Sequence, residues 1–465
     1  MTDPELPPDL IIIGAGPAGM AAAATTARAG ARVLLLDDQP APGGQIYRDV
    51  DRNRDRFDWL GQDYAQGAAL VDALDHPNIT RIFGATVWRI DAGPKVAWSR
   101  DGQSHTSKAP FLLLATGAQE RPVPFPGWTL PGVMPAGAAQ ILMKNAAMLP
   151  RDAVLAGSGP LLYLMAAQMI DAGTPPLALV ETGSRTALLA GLRHLPRATL
   201  GIPVLRKGMA LLYKIRAHGI PRFTGASGFR ADAETGGSLR FSFRSRGEQQ
   251  NLTCRLLLTH QGVIPSTSIT RAAGITHDWS PLQQCFHPVT DQWGRSSVDG
   301  IYVAGDGSGI AGADAAKFAG RLAARDILFR LGRISADARN QTSAADLGGL
   351  LCARSVRPLL DTLYAPPKEF LTPPDETIVC RCEEITAGEL RQAIGEGATG
   401  HRLLKTATRA GMGPCQGRMC DATVRGILSE QRGIPPAIPP RARNPVKPVT
   451  LGELASLAAD ETQSS

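Results

Sequence analysis

The stretch Asp9-Leu10-Ile11-Ile12-Ile13-Gly14-Ala15-Gly16-Pro17-Ala18-Gly19 decides how this chain begins to fold. A short aliphatic run entering a cluster of glycines reads as a strand that runs into a tight turn. An Ala-rich stretch continues to Ala29, Gly30 stops it, and a second apolar run, Val33 to Leu36, ends in Asp37-Asp38. Strand, glycine turn, helix and strand make one βαβ unit of an α/β sheet. Each glycine has a task. Gly14 permits the turn, Gly16 lets the backbone approach a pyrophosphate, and Gly19 lets the helix lie close to the strand. The helix N-terminus then faces the phosphate charge. Asp37, 18 residues past Gly19, is placed to accept hydrogen bonds from an adenosine ribose.

Three later segments turn this dinucleotide site towards FAD. Pro42-Gly43-Gly44-Gln45 resembles the flavin-contacting turn of two-dinucleotide flavoprotein reductases. Leu112-Leu113-Leu114-Ala115-Thr116-Gly117 resembles the strand-end motif of that superfamily. Gly300-Ile301-Tyr302-Val303-Ala304-Gly305-Asp306 resembles its closing motif, whose aspartate holds the ribityl or pyrophosphate part of FAD. They occur in the order that superfamily uses. The fold class expected is α/β: a Rossmann-like flavoprotein with two dinucleotide-binding domains.

The pattern restarts at Ala153-Val154-Leu155-Ala156-Gly157-Ser158-Gly159-Pro160, continues as an apolar helix through Ile170, and reaches a strand, Leu177 to Val180, before Glu181. In related reductases this inserted domain holds NAD(P)H. Leu162 occupies the third-glycine position, where its side chain is expected to push the helix off the strand and crowd a pyrophosphate. Glu181 suits a ribose hydroxyl better than a 2′-phosphate, which disfavours NADPH. A working NADH site and a retained fold with a degenerate pocket both stay open, and the missing glycine favours the second. Cys254 and Cys285 are separated by 30 residues, too far for the Cys-x-x-Cys of a redox dithiol. Both read as small buried hydrophobes.

Four cysteines near the C-terminus form a tighter pattern. Cys380-Arg381-Cys382 and Cys415-Gln416-Gly417-Arg418-Met419-Cys420 give C-x-C, 32 residues, then C-x4-C. Two close pairs of thiolates can each clamp one iron of a [2Fe-2S] cluster. Gly411, Gly413 and Gly417 free the backbone to bring amides to the sulfurs. Zinc is the competing reading, although its four-cysteine sites favour C-x2-4-C at both ends. Thr386 ahead of Glu389 marks a capping box at the start of a helix. Cys352 stands alone and reads as inert.

The C-terminal segment resembles the bacterioferritin-associated-ferredoxin-like [2Fe-2S] domain. That family usually ends in C-x2-C; the x4 spacing matches the version fused to flavoprotein subunits. Over nearly its full length the chain is similar to the larger flavoprotein subunits of heteromeric amino-acid dehydrogenases. Their types are the A subunit of opine oxidase, its hydroxyproline dehydrogenase counterparts and the B subunit of hydrogen cyanide synthase. The resemblance rests on Gln119-Glu120-Arg121-Pro122-Val123-Pro124-Phe125-Pro126-Gly127-Trp128-Thr129-Leu130-Pro131-Gly132-Val133, on residues 413–420, and on Pro445-Val446-Lys447-Pro448. Thr259-His260-Gln261-Gly262-Val263-Ile264-Pro265 looks closer to the opine and hydroxyproline branch, and His260 reads as a packed core residue.

The resemblance implies FAD, a [2Fe-2S] cluster and, in some relatives, an additional flavin (FMN) between subunits. It implies a D-amino-acid-oxidase-like flavoprotein partner that removes the substrate hydride, with a small ferredoxin-like subunit beside it. The substrate class it implies is an opine, D-hydroxyproline, proline or glycine. A flavin accepts two electrons together and can release them singly, and the cluster handles one at a time. A stand-alone NADH-dependent reductase is the alternative, and a non-catalytic iron–sulfur scaffold is a third reading that intact FAD motifs disfavour. No general base or nucleophile stands out, so the catalytic residues stay unassigned.

The remaining composition sets bounds. A length of 465 residues with 43% apolar content supports two to four domains. The net charge of +7 comes from singly scattered Arg and Lys, and aromatics total 5%, so nucleic-acid binding is not expected. No basic leader opens the chain, and no apolar run nears the ~20 residues of a membrane span. The cytoplasm is the expected compartment, with cysteines free or metal-bound. The expected divisions are an FAD domain over 1–130 with a return segment at 280–330, a second nucleotide-like domain over 131–279, a linker over 331–375, the cluster module over 376–432 and a tail over 433–465. The Pro/Arg-rich part of the tail, Pro435 to Pro448, is expected to wrap a surface before a short helix near Leu451 to Ala458.

Overall fold

The four aliphatic residues Leu10–Ile13 are buried throughout, as a strand must be when helices cover both faces of a parallel sheet. In the computed structural model, which describes residues 7–53, 56–91, 93–433 and 442–463, this strand (β1) runs parallel to Val33–Asp37 (β2) and to Phe111–Leu114. The five-stranded sheet has the order Ile301–Val303, Phe111–Leu114, β1, β2, Ile79–Phe83. Helix Pro17–Arg28 (α1) follows the glycine turn, with Pro17 preset for the first helical turn. It packs on Ala313–Arg330 through small residues: a Cβ at Gly320 would lie 2.1 Å from the Ala18 carbonyl oxygen. The strand that closes this sheet, Ile301–Val303, therefore comes from late in the chain. Three antiparallel strands over residues 86–108 flank the sheet.

A second five-stranded parallel sheet repeats the plan, in the order Arg222–Thr224, Ala178–Glu181, Ala153–Ser158, Leu256–Gln261, Val133–Pro135. An antiparallel sheet of Ser227–Ala233, Leu239–Ser245 and Glu248–Cys254 packs Phe229, Phe241 and Phe243 beneath it. The chain crosses between the two units on a two-stranded ribbon, Ala118–Glu120 against Val263–Pro265.

Residues 331–375 differ from the linker expected there, because Ala336–Ser355 and Arg357–Leu363 are helices. The Ser335 hydroxyl accepts from the Ala338 amide and caps the first. Its buried residues are Ser343, Asp346, Leu350 and Ser355, so no aliphatic stripe announces it. Asp346 is instead held by Arg321 and Arg325 of the neighbouring helix.

The cluster module joins a two-stranded ribbon, Ile378–Cys380 with Ile385–Thr386, to helices Ala387–Gly395, His401–Thr408 and Asp421–Arg432. They close on Leu390, Leu404, Val424 and Ile427. The capping box is present: the Thr386 hydroxyl accepts from the Glu389 amide while Glu389 accepts from the Thr386 amide.

Residues 434–441 of the Pro/Arg-rich tail lie outside the described residues. Beyond them the chain runs over the first domain. The Val446 amide donates to the Trp88 carbonyl at 2.8 Å and Asn444 Nδ2 to the Ile90 carbonyl at 3.1 Å. The terminal helix, Leu451–Gln463, extends past the expected Ala458 and seats Leu457 against Trp88 and Ala97. Among the described residues no helix is long and apolar enough to cross a membrane.

Candidate functional site

The first glycine turn is a cradle that side chains would fill. A Cβ at Gly14 would lie 2.4 Å from the Ala115 carbonyl oxygen, and one at Gly19 would lie 1.8 Å from the Gly14 carbonyl oxygen. The Gly43 amide donates to the Ala15 carbonyl at 2.8 Å. A Cβ at Gly44 would come 2.9 Å from the Gly16 Cα. Two glycine loops thus lie back to back, and their bare backbones fit a pyrophosphate. Gln45 is exposed beside them.

Asp37 closes one end of the cradle. It accepts from the Ala15 amide at 2.5 Å and the Gln39 amide at 2.8 Å. Burial pushes its carboxyl above the ordinary carboxylate range, and these two amides partly offset the rise. Its neighbour Asp38 pairs with Lys447 of the tail. At the other end, Gly307 lies against Thr116 and Gly117. Asp306 accepts from the Ala311 amide at 2.9 Å and the Gly312 amide at 3.0 Å, just ahead of helix Ala313–Arg330. The eleven residues expected to contact FAD therefore lie at or just beyond the strand ends along one edge of a single sheet, Gly19 in the first turn of the helix and Asp37 at the end of its strand.

The second glycine turn is built differently. Gly157 and Ser158 stay in the ladder, with Gly157 opposite Glu181 and His260. The helix Pro160–Asp171 starts past this longer strand, and Leu162 is fully buried against Leu155, Leu258 and Ala139. The strand ladder here runs on through Gly157 and Ser158, and the leucine expected to crowd a pyrophosphate is part of the core. The crevice above the strand ends is lined by the chain's own polar groups. Gln261, 1% exposed, accepts from the Ser158 hydroxyl at 3.0 Å and donates to the Thr182 hydroxyl at 3.1 Å. Glu181 accepts from the Tyr163 hydroxyl at 2.5 Å and pairs with Arg222 at 2.7 Å. The His260 ring lies 3.2 Å from where a Gly159 Cβ would be, with Nδ1 2.5 Å from Glu120. His260 is buried, as expected, but has a carboxylate partner.

The four C-terminal cysteines come together. Cys380 contacts Cys420 and Cys382 contacts Cys415, so the pairing runs across the two motifs, not within each. Cys380 ends a strand with its side chain inward, whereas the following turn carries Cys382 to the surface. The Cys420 thiol, with the amides of Gly411, Glu383 and Cys382, outweighs burial and brings Cys380 down to about 5. Its contact with Cys380 and its burial push Cys420 up. A Cβ at Gly413 would lie 2.2 Å from the Cys382 Cβ, so only glycine lets that loop close. Among the described residues no three His, Cys, Asp or Glu side chains are arranged to hold a single metal ion. Two thiol pairs with amides aimed at sulfur fit a two-iron donor set. Of the other cysteines, Cys254 is buried and raised to about 11 by that burial, while Cys352 is exposed. Cys285 departs from the buried hydrophobe expected: it is half-buried and hydrogen-bonded to Arg121.

The cluster module is in contact with the rest of the chain close to both sites. Gln119 Nε2, three residues beyond Thr116, donates to the Arg418 carbonyl at 2.8 Å, inside the loop between Cys415 and Cys420. Trp128 Nε1 donates to the Ile378 carbonyl at 2.6 Å, and the Arg381 guanidinium lies over the Trp128 ring. Asp421, beside Cys420, faces Arg271 at 3.7 Å. Burial opposes its ionisation, but the His401 hydrogen bond and the Arg425 and Arg271 charges hold its carboxyl well below the usual range.

Fold and site together define a flavin-dependent oxidoreductase with a fused iron–sulfur binding domain. The chain belongs to the pyridine nucleotide-disulphide oxidoreductase family, matched over residues 8–320. Residues 378–430 match the BFD-like [2Fe-2S] binding domain. It is 48% identical to the A subunit of opine oxidase from Rhizobium meliloti, over 97% of this chain and 87% of that one. It is 31% identical to hydrogen cyanide synthase subunit HcnB of Pseudomonas protegens, over 94% and 96%. Among solved structures, L-proline dehydrogenase from P. horikoshii shares the fold with a TM-score of 0.68 at 20% identity, covering 97% of this chain and 79% of that one.

Sequence reasoning missed several residues. Lys144, 3% exposed, reaches from helix Ala136–Ala146 to the flavin turn and donates to the carbonyls of Gln45 at 3.1 Å and Ile46 at 2.9 Å. Nothing in its local sequence marks it. Glu120 and His260 both lie in quoted segments, but their pairing spans 140 positions.

Proposed function

We propose that this chain relays electrons within a heteromeric amino- or imino-acid dehydrogenase. The observation that carries the reading is the hydrogen bond from Gln119 to Arg418, which joins the strand leaving the Thr116-Gly117 turn to the cysteine loop. Gly14, Gly16, Gly19, Asp37, Gly43, Gly44, Gln45, Thr116, Gly117, Gly305 and Asp306 would hold FAD, and Cys380, Cys382, Cys415 and Cys420 the [2Fe-2S] cluster. When bound, these groups supply two-electron acceptance and one-electron release. The chain's own residues hold the two sites together: Gln119 and Trp128 register the cluster module on the flavin unit, and Lys144 fixes the flavin turn.

The partner proposed is a D-amino-acid-oxidase-like flavoprotein, joined by a small ferredoxin-like protein and by an FMN at the interface. The substrate is an opine, hydroxyproline, proline or glycine. The relatives' names as subunits support this assembly. An FAD domain over 1–130 and 280–330, a second nucleotide-like domain over 131–279 and a cluster module over 376–432 carry the roles, in the cytoplasm. The NADH-reductase reading is disfavoured because Gln261 spans the second crevice and Glu181 is engaged by Tyr163 and Arg222. Anaerobic titration of the purified chain tests this. NADH and NADPH should leave the flavin absorbance unchanged while dithionite bleaches it and raises the cluster's paramagnetic signal. Bleaching by NADH sinks the relay reading in favour of a self-sufficient reductase.

A further inference from the structure

Residues 182–231 contain no Asp or Glu, although the whole chain has 42 in 465, and they carry nine Lys and Arg. Most of this stretch is helical, from Arg185–Gly191 to Ile202–Ala217, and fills the connection between Ala178–Glu181 and Arg222–Thr224. Nine of the eighteen large apolar side chains exposed among the described residues fall between positions 188 and 213. Single exposed apolar residues are ordinary on any protein; their concentration in one cationic segment is not.

The segment is arranged in lines. Leu188, Leu192 and Leu195 follow at helical spacing and are 58%, 51% and 44% exposed. On Ile202–Ala217 the outward line is Ile202, Arg206, Met209, Tyr213 and Arg216, all exposed. On the adjoining side of the helix Leu205 and Leu212 are half-buried and Ile215 is buried. Lys207 and Lys214 are tied to Asp63 and Asp171. Arg197, Arg206 and Arg216 have no carboxylate partner among the described residues.

We propose that this face docks peripherally on an anionic lipid bilayer. Its apolar members are aliphatic or Met with one aromatic, Tyr213, and no Trp, whereas the apolar anchors of protein hot spots are Trp and Tyr, with Leu and Val under-represented. A second copy of the same face would set arginine against arginine. Anionic headgroups attract every fixed charge the segment presents, and arginine stems can lie along the aliphatic side chains with their charges outward. Leucines entering the acyl boundary by ~5–10 Å, below a rim of arginine, make an interfacial contact that needs no spanning helix.

The test uses the full-length, cofactor-loaded chain sedimented with phosphatidylglycerol vesicles and, separately, with phosphatidylcholine vesicles. The chain should co-sediment with the anionic vesicles and much less with the zwitterionic ones, and added salt should weaken the binding. The double variant Leu189→Gln/Met209→Gln, at two exposed positions, should lose binding by at least about tenfold. Its flavin and cluster content should be unchanged. No binding to either lipid, or undiminished binding by the variant, overturns the proposal. So does a variant that binds vesicles normally but no longer assembles with its partner protein, because the face would then be a protein contact.

Discussion

The two glycine turns of this molecule start from almost the same sequence and end as different objects. Gly14-x-Gly16-x-x-Gly19 keeps the helix so close to its strand that a Cβ at Gly19 would lie 1.8 Å from a carbonyl oxygen. Gly157-x-Gly159-x-x-Leu162 lengthens the strand by two residues and buries the leucine completely. The adjoining acids diverge too: Asp37 faces backbone amides at the turn, whereas Glu181 is engaged by Tyr163 and Arg222. Above the strand ends, Ala115-Thr116 in one unit stand where His260-Gln261 stand in the other. One unit keeps its crevice bare for a ligand. In the other, Gln261, His260 and Glu181 bond to the chain's own groups at the corresponding strand ends.

Substitutions at three positions put this contrast to the test. The largest effect is expected from Gly19→Val, which should abolish FAD binding, with flavin occupancy falling more than about tenfold because the helix must leave its strand. Retained yellow colour would mean the cradle tolerates what its geometry forbids. Next, Leu162→Ala should cost about 2–5 kcal/mol in denaturant unfolding, as an aliphatic core cavity does, and leave flavin content intact. Should Leu162→Gly also confer reduction by NADH, the leucine alone blocks that site and the roles given to Gln261 and Glu181 are wrong.

The smallest effect concerns Lys144, which joins the two units. Burial, with the nearby Arg48 charge, lowers it to about 7. The folded state therefore binds this proton less tightly than the unfolded chain, where a lysine titrates near about 10.4. Stability should rise with pH between about 7 and 10 at no more than about 1.4 kcal/mol per pH unit, and stay flat below that window. Lys144→Met should remove this slope in parallel melts. An unchanged slope would show that the lysine stays charged among the carbonyls of Gln45 and Ile46 and the side-chain oxygen of Gln140.

Much of the fold was legible because it rests on local signals. Apolar runs, the positions of Gly14, Gly16 and Gly19, and the capping box at Thr386 each specify structure within a few residues. The helix Ala336–Ser355 escaped because ion pairs to Asp346, not an aliphatic stripe, hold it inward. The tail likewise gives no sign of its docking site, since its partners Trp88 and Asp38 lie more than 350 positions away. The four cysteines could be grouped by spacing, but not paired: which thiol meets which depends on the turn that sends Cys382 outward while Cys380 stays in.

Two nucleotide-type units, the completeness of one glycine turn and the grouping of four thiols near the C-terminus are readable without coordinates. Those facts follow from residue type at fixed spacing. It takes the packed chain to show that Gln261 bonds Ser158, that His260 meets Glu120, that Lys144 holds the Gln45 carbonyl, and that Gln119 reaches the cysteine loop. Each of these joins residues between 99 and 299 positions apart, and contacts at that separation are set by packing, not by local pattern.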